Sequence, residues 1–368
     1  MDRALSVLRL GAVTPVGLTA AQTAACVRAG LSGFVTRQLL PPPAEPTICA
    51  TVPASRRLKR SPREWLLNLA TRAAAECLAD FAPSQPVALL LAVPEPFRHH
   101  PALHGRSDAA TLAELQTRLA RRLAPASRVL RSGQASVCQA LLQARSLLNA
   151  GEVTACLVGG VDSLLEPADI DRLQRSGWLH GPDNPQGLIP GEGAAFLLLG
   201  GDAGQPAAPP LARILAAATA QEQDHALTER FACGDGLRAA IETALQQAGV
   251  PEAEVKLRVT DMNGERYRAW DSMLAAGRSY GTRRETFPVW HTASRLGDLG
   301  AAAGFAGVLC AAMGLHRGYA PGPTVVCESA SDEGLRGACV MVPARGAPLP
   351  PFLSRLHAEQ GAAVVSES

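Results

Sequence analysis

The stretch Arg131–Ser163, RSGQASVCQALLQARSLLNAGEVTACLVGGVDS, decides the fold of this chain. The small residues Ser132, Gly133, Ala135 and Ser136 form an elbow, and the apolar residues after it recur with the period of a helix. Gly151 ends that helix because glycine can adopt a positive φ. Residues 153–158 are apolar or small, as in a strand that is covered on both faces. The stretch therefore predicts an elbow, a helix and a buried strand of an α/β protein.

The elbow is a candidate reaction site. Many α/β enzymes place a nucleophile where a turn opens a helix, because the free N–H groups there stabilise a developing anion. This elbow carries Gln134, and glutamine is not a nucleophile. Cys138 lies one turn further along the helix, on a similar face, and is the candidate for a displaced nucleophile. A position inside the helix loses most of the N-terminal activation, so a buried structural thiol is the favoured interpretation.

Composition excludes several function classes. The net charge of +2 gives no reason to expect nucleic acid or a membrane surface as partner. No apolar run reaches the length of a membrane span. The apolar run at the N-terminus is too short and too interrupted for a signal peptide. The nine cysteines are scattered and form no CxxC pair, which is typical of reduced, buried thiols in a cytoplasmic protein.

Strands and helices alternate on both sides of the elbow. They predict two α/β halves of similar size, residues 1–203 and 210–345, with helices between sheets. Gly200–Pro210 is the predicted linker, and residues 346–368 are expected to form a disordered tail. Residues 35–62 are rich in proline and show no firm period, and an amphipathic helix is predicted over Thr111–Leu123.

The segment Glu95–Ser107 is polar and contains His99, His100 and His104. Three histidines raise the possibility of a metal site, but no acidic or cysteine residue stands at a fixed spacing from them. A solvated loop is therefore the favoured interpretation, and no metal site is predicted. Asp162 and Glu192 are embedded among small residues and are interpreted as carboxylates that brace loops.

Four segments in order resemble the β-ketoacyl-acyl-carrier-protein synthases of the thiolase superfamily. They are GAVTPVGLTAAQTAACVRAGLSGF (11–34), GQASVCQALLQARSLLNAGEVTACLVGGVDS (133–163), GLIPGEGAAFLLL (187–199) and LGDLGAAAGFAGVL (296–309). The resemblance implies a thiolase-like, five-layered αβαβα fold with two pseudo-symmetric halves, and a dimer. It also implies a cysteine nucleophile, two active-site histidines, a nearby lysine and a phenylalanine gate.

The positions that match this family set carry other residues. Gln134 stands at the nucleophile, Asn263 at the first histidine and Asp298 at the second. With gaps placed to fit, the lysine falls on Ala293 and the gate on Ser331. Condensation needs a thiolate and neutral donors that stabilise an enolate and an oxyanion, whereas an anionic Asp298 would repel them. The sequence thus predicts that no catalytic set is intact and that no cofactor is required.

Three functions remain open. The first is a ketosynthase-like pseudoenzyme that acts by binding, as an adaptor, chaperone or scaffold; degenerate synthase-like proteins also occur in bacterial toxin-export gene clusters, including type VI secretion. The second is similar to a chain length factor, a non-catalytic subunit with glutamine at the elbow that pairs with an active synthase and shapes its acyl tunnel. Residues 95–130 form a shorter segment than is usual in the family, which weakens an acyl-tunnel function.

The third function is an acyltransferase or hydrolase of altered chemistry. It would use Cys138, or Ser132 or Ser136 together with His291 and Asp298, although no GxSxG elbow is present. The expected partners are a second copy of the chain or a ketosynthase-like protein, and a client protein is also possible. An acyl carrier protein is less favoured, because the groups that would use its acyl cargo are replaced.

Overall fold

The structure, a computed structural model, describes residues 4–53, 61–81, 86–103, 105–201 and 209–344. The first half has seven strands and five helices: β1 (Leu5–Val13), α1 (Ala20–Arg28), β2 (Phe34–Arg37), β3 (Thr47–Ala50), α2 (Pro62–Leu78), β4 (Ala88–Ala92), α3 (Asp108–Leu119), β5 (Arg128–Leu130), α4 (Ser136–Asn149), β6 (Ala155–Ser163), α5 (Pro167–Arg175) and β7 (Glu192–Gly201) in the described part of the chain. The second half continues, over its described residues, with β8 (Ala212–Gln221), α6 (Asp235–Ala248), β9 (Leu257–Thr260), α7 (Arg266–Ser279), β10 (Val289–His291), α8 (Ala293–Leu296), α9 (Ala303–His316), β11 (Val325–Ala330) and β12 (Leu335–Pro343).

The two halves repeat one sheet topology. The strand order is β5-β4-β6-β7-β1 in the first half and β10-β9-β11-β12-β8 in the second. In each half, the three strands nearest the outer edge are parallel and the remaining pairs are antiparallel. Three residue pairs between β1 and β8 join the halves into one hydrogen-bonded sheet. The repeated order confirms the prediction of two pseudo-symmetric halves in the fold.

Five layers follow from which side chains pack together. Along β4 and β6 alternate residues face opposite sides, so Leu89 and Leu91 pack on α2 while Leu90 and Val158 pack on α4 and α9. The same central helices contact β8, β11 and β12, while α6 and α7 cover the far face of the second half-sheet. The order of layers is therefore α2 and α3, first half-sheet, α4 and α9, second half-sheet, α6 and α7. This is the expected αβαβα arrangement.

Two predicted local structures differ from those observed. The predicted helix over Thr111–Leu123 begins earlier, at Asp108, because the Ser107 side chain accepts a hydrogen bond from Ala110 N and caps the helix. It ends at Leu119, where Ala120 takes a left-handed conformation. The stretch 35–62 is not irregular throughout, since β2 and β3 pair there as a small antiparallel sheet. Much of the Gly200–Pro210 linker (202–208) and the tail (346–368) lie outside the described residues.

The cysteines fit the burial expected from the sequence. All nine lie in described ranges, where none forms a disulfide, and all but Cys26 and Cys233 are buried. In the part of the chain that is described, no helix is long and apolar enough to cross a membrane.

Close backbone approach fixes the centre of the molecule. A Cβ on Gly160 of β6 would lie 2.2 Å from the carbonyl oxygen of Ala301, in the turn that begins α9. A Cβ on the neighbouring Gly159 would overlap the Phe196 ring at 2.1 Å. Because a backbone carbonyl in a packed layer cannot move aside, the glycine at position 160 is required by space. The pair Gly159 and Gly160 thus sets how closely β6 packs against its neighbours, with Gly160 against the turn that begins α9.

Gly160→Ala is expected to lower the free energy of unfolding by about 1–3 kcal/mol through overpacking. Gly277→Ala is the matched control, because Gly277 lies in α7 with open space around its Cβ position. The control is expected to raise stability by about 0.5–1 kcal/mol through helix propensity. Urea unfolding of the three proteins measures both effects. Equal stability of Gly160→Ala and the parent would refute the close-packing argument.

Candidate functional site

The elbow is a short 3-10 turn, Gly133–Ala135, between β5 and α4. Its first residue, Gly133, has φ +59°, and a Cβ there would lie 2.6 Å from a carboxylate oxygen of Glu95. Gln134 is buried, with 4% of its surface exposed. The sequence therefore places Gln134 correctly at a tight turn that opens a helix, but the turn is closed in by neighbouring side chains.

One backbone donor of this turn, Ala135 N, is already bonded. Ala135 N donates to the Ser331 hydroxyl oxygen at 2.9 Å, and that hydroxyl donates to the Ser132 carbonyl. Ser331 is the residue that the resemblance places at the gate, and it is buried against the elbow. An N–H at the start of a helix stabilises an anion only when it is free to point at it. In this conformation the Ala135 N–H is therefore not available to an oxyanion.

The structure brings Asn263 and Asp298 together. Asn263 Nδ2 donates to Asp298 Oδ2 at 2.7 Å, and Asp298 Oδ1 accepts from Gly300 N at 2.8 Å. Asp298 and Gln134 line the same small cavity, and Ala293 is buried at the start of α8. The positions expected from the family are thus clustered, but the amide of Asn263 and the carboxylate of Asp298 are bonded to each other rather than free for a substrate.

Arg98 lines the same small cavity as Gln134. Arg98 donates to Asp162 Oδ2 at 2.6 Å, and its Nε and Nη2 donate to the two oxygens of Asp169 at 3.0 and 2.9 Å. All three side chains are at least 95% buried. Burial by itself would raise the pKa of Asp169, but the Arg98 guanidinium holds it below its usual value. Arg98 therefore forms a tightly bonded ion cluster at the wall of this cavity.

This cluster corrects the prediction of a solvated loop over 95–107. Arg98 lies in a 3-10 turn, and His100, also buried, bonds through Nε2 to the Ser163 carbonyl at 3.2 Å. The loop turns inward because Asp162 and Asp169 provide partners for its charge. His104 lies outside the described residues. Among those described, no group of three His, Cys, Asp or Glu side chains could hold a metal ion.

The cavity at the elbow is nearly closed. It measures about 10 Å³ and is lined by Gln134, Asp298, Arg98 and Asp332 among others. A buried water needs roughly 10–15 Å³, so the cavity has room for about one water molecule and not for an acyl chain. In this conformation, a substrate would have to displace Arg98 or the Ser331 loop to reach Gln134.

Glu95 connects the elbow to the Ser331 loop. Its Oε1 accepts from Glu333 N at 2.8 Å and its Oε2 from Asp332 N at 3.2 Å. Burial, and after it the nearby Asp332 carboxylate, raise the pKa of Glu95 to about 8. The Glu95 carboxyl is therefore largely neutral at pH 7 and faces the elbow turn as a neutral group.

Cys138 is fully enclosed in the central layer. A Cβ on Gly337 of β12 would lie 2.8 Å from its sulfur, and only 1% of the residue is exposed. Hydrogen bonding to the Cys339 thiol, together with burial, raises the pKa of Cys138 well above its usual value. A reactive cysteine needs a thiolate and access to solvent or substrate. Both features support the interpretation of Cys138 as a structural thiol.

The serine-based triad is not assembled. His291 bonds through Nδ1 to Thr260 at 2.8 Å, and the Ser132 hydroxyl bonds to Gln139 at 3.1 Å. Asp298 is occupied by Asn263 and Gly300, as described above. A nucleophile and its base must lie within hydrogen-bond reach of each other. Ser132, His291 and Asp298 instead have partners outside the proposed triad, and the buried Ser136 hydroxyl has no hydrogen-bond partner among the described residues.

Asp162 and Glu192 do brace the backbone in the structure. Asp162 accepts from Ser163 N at 2.7 Å and from Ala301 N at 2.9 Å. Glu192 accepts from Val52 N at 3.1 Å and from the Trp65 indole at 2.8 Å. Each carboxylate ties together segments that are distant in the sequence, which agrees with the role expected for them.

The sequence interpretation missed Arg98, Glu95 and Asp332. These residues lie in segments without helical or strand periodicity, so their burial leaves no repeating pattern in the sequence. One signal was present, since Glu95 and Arg98 stand three residues apart between prolines and histidines directly after a buried strand. Charged residues at such a strand end are often functional or structural.

Arg98→Gln is expected to lower the unfolding free energy by about 3–5 kcal/mol at pH 7.5, because it leaves the buried Asp162 without a cation and Asp169 with only the more distant Arg172, at 3.4 Å. The loss should be smaller at pH 5, since unpaired buried carboxyls have raised pKa values and become neutral as pH falls. Arg175→Gln is the control, because that arginine is 74% exposed in its pair with Asp171. It should change stability by less than about 0.5 kcal/mol. A small loss for Arg98→Gln in denaturant unfolding would contradict the role of the cluster.

Glu95→Gln is expected to gain stability relative to the parent as pH rises from 5 to 8.5. The parent's folded state keeps a proton that the unfolded chain releases near pH 4.3, so its stability falls by up to about 1.4 kcal/mol per pH unit until the folded pKa of about 8. Glutamine does not titrate. Unfolding free energies at several pH values measure the difference.

Glu114→Gln is the control for this measurement. Burial opposes ionisation of Glu114, but the hydrogen bonds and positive charges of Arg118 and Arg63 together hold its pKa below the usual value. Its effect on stability should therefore be constant from pH 5 to 8.5. A constant effect of Glu95→Gln over the same range would show that Glu95 is ionised throughout.

Comparisons with known proteins agree with this geometry. The profile described as "Beta-ketoacyl synthase, N-terminal domain" matches residues 123–203, and "Beta-ketoacyl synthase, C-terminal domain" matches residues 211–326. Together these two matches span more than half of the chain. No curated protein sequence matches it.

Several solved structures share the fold. A type II polyketide acyl-carrier protein in complex with its ketosynthase (AntDE:AntF) contains a chain with a TM-score of 0.77 and 17% identity over 93% of this chain and 100% of that one. The ishigamide ketosynthase/chain length factor gives a TM-score of 0.74 and 19% identity over 93% and 100%. A ketosynthase of the bacillaene synthase from Bacillus amyloliquefaciens FZB42 gives 0.72 and 14% over 93% and 75%. With both family domains matched in order on a thiolase-like fold, this chain belongs to the β-ketoacyl synthase family.

Proposed function

We propose that this chain is a non-catalytic ketosynthase-like subunit that pairs with a catalytically active synthase, in the manner of a chain length factor. The observation that carries the proposal is the elbow cavity of about 10 Å³, which is lined by Gln134 and occupied along one side by the Arg98 ion cluster. A condensing site must hold an acyl group next to a nucleophile. This elbow has neither the nucleophile nor the space.

The edge of the sheet at β5 supports a role in pairing with a second subunit. β5 ends the ten-stranded sheet of the described residues, and a groove of about 500 Å³ opens beside it. The groove is lined by Glu95, His99, Asp108 and Arg131 among others, and Glu95 also contacts the elbow. A second subunit that added to β5 would cover this groove. The chain could in this way supply a wall to a site whose chemistry resides in its partner.

Two of the similar structures combine a ketosynthase with a chain length factor: the ishigamide ketosynthase/chain length factor and the PfaC ketosynthase–chain length factor. Their identity to this chain is 19% and 14%, so they support the pairing as an analogy of fold. The similar ketosynthase that is in complex with its acyl-carrier protein also supports the pairing as an analogy, since a carrier protein would deliver acyl groups to the active partner.

One observation favours the adaptor function instead. Large apolar side chains are exposed on α7 and in the loop before α6, namely Phe231 (95% exposed), Met273 (61%) and Trp270 (54%). Exposed apolar patches mark protein interaction sites. Trp270 and Met273 belong to α7 in the outer layer of the second half, and this exposed apolar surface could bind a client protein without a ketosynthase partner.

The pairing is tested by mixing the purified chain with a Cys-containing β-ketoacyl synthase from the same genome. Sedimentation is expected to show a 1:1 heterodimer, and the chain length of the condensation products is expected to change in the mixture. The chain alone is expected to show no condensation with acyl- and malonyl-carrier protein. Gln134→Cys alone should also remain inactive, because the cavity is closed and the Ala135 N–H is bonded.

Two single charge-reversal variants, one at β5 and one on α6, test whether the interface with the synthase lies at the β5 edge. Arg128→Glu on the exposed edge of β5 is expected to weaken the heterodimer at least tenfold, whereas Arg238→Glu on α6 should leave it unchanged. Condensation by the chain alone that vanished in Gln134→Ala would overturn the non-catalytic proposal. A homodimer that does not exchange with the synthase, but whose client binding is lost in Phe231→Ser, would favour the adaptor function.

A further inference from the structure

A second cavity lies at the opposite edge of the sheet, between α1, β10 and α9. It measures about 400 Å³, within the range of small-molecule sites, and shares no lining residue with the elbow cavity. Its apolar lining comes from Ala24, Val27, Val289, Trp290 and Tyr319. The proposed pairing function does not use this cavity.

One wall is a fixed aromatic stack. Trp290 and Tyr319 lie with ring centroids 5.9 Å apart and planes 27° apart, and the Arg28 guanidinium lies 4.4 Å from the Tyr319 ring centroid. The pair packs directly on α9, because a Cβ on Gly314 would lie 2.8 Å from the Trp290 ring. The wall is thus flat and held in place before any ligand arrives.

The cavity carries uncompensated positive charge. Arg28 and Arg295 both line it, and within the described residues neither forms an ion pair with a carboxylate. The Arg295 guanidinium lies beside the end of the helix that carries Arg28, 3.6 Å from the Cβ position of Gly30. The lining residues include no aspartate or glutamate.

The other titratable groups in the lining do not offset these two charges. Burial raises the pKa of Cys310 and of Tyr319 to about 12, so both are neutral at pH 7. Burial, and then the Arg258 charge, lower the pKa of His291, so its ring is neutral as well. Since His291 Nδ1 bonds to Thr260 at 2.8 Å, Nε2 is the ring nitrogen left for a ligand.

We propose that this cavity binds a small amphipathic carboxylate, with its apolar body against Trp290 and Val27 and its carboxylate between Arg28 and Arg295. Two planar guanidinium groups match the geometry of a carboxylate, and each bond to it is charge-assisted. The apolar lining gives an organic anion an advantage over an inorganic one, because burial of its carbon body adds to the binding free energy.

Titration calorimetry with octanoate on the full chain tests the proposal. Octanoate is expected to bind, octanol at least tenfold more weakly because it lacks the charge, and inorganic phosphate at least tenfold more weakly because it lacks the apolar body. Trp290→Phe should remove the change in tryptophan fluorescence that accompanies binding. Absence of octanoate binding, or equal affinity for octanol, would overturn the proposal.

Variants of the two cavity arginines test whether octanoate binds in this cavity. Arg28→Gln and Arg295→Gln are each expected to weaken octanoate binding at least tenfold. Arg72→Gln, at an exposed arginine of α2 on the other side of the molecule, should bind like the parent. Thermal unfolding of each variant confirms that the fold is intact. An equal loss in all three variants, or no loss in the first two, would show that octanoate binds elsewhere.

Discussion

Backbone contact between β6 and the turn that begins α9 is the constraint on which the rest of the structure depends. Gly160 lies against the Ala301 carbonyl, and Gly304 of α9 lies against the Gln134 carbonyl, where a Cβ would be only 2.5 Å away. Strand, helix and elbow therefore meet without side chains between them. At this point α4 and α9 present a narrow cross-section. The two half-sheets can therefore pack on opposite sides of the same pair of central helices.

The elbow keeps its shape while its surroundings are occupied. Gly133 retains a left-handed conformation, and the helix behind it buries its alanine and leucine face. Around it, Ser331 bonds to the Ala135 N–H, Asn263 bonds to Asp298, and Arg98 bonds to Asp162 and Asp169. Polar groups in a buried site are stable when each finds a partner, and here they find one another. The charged groups around the elbow are thus paired without a ligand, while the buried Ser136 hydroxyl has no hydrogen-bond partner among the described residues.

Periodicity predicted the alternation of helices and strands because buried faces repeat, as in the opening stretch, where the structure has helix α4 and strand β6. The family resemblance gave the order of layers and the clustering of Gln134 with Asp298. The inward turn of Arg98 could not be predicted, since its partners are 64 and 71 residues away in the sequence. The β2–β3 sheet was missed for a related reason: its four-residue strands are too short for a period to emerge.

The position of β1 has a consequence for how the chain is made. β1 pairs with β7 and β8, whose residues follow it by more than 180 positions. At a synthesis rate of about 5–20 residues per second, an apolar strand must remain without its neighbours for roughly 10–40 s. Such distant pairing slows folding and leaves unpaired strand edges exposed to other chains. Production of this protein at lower temperature or with a holdase therefore protects the strand that closes the middle of the sheet.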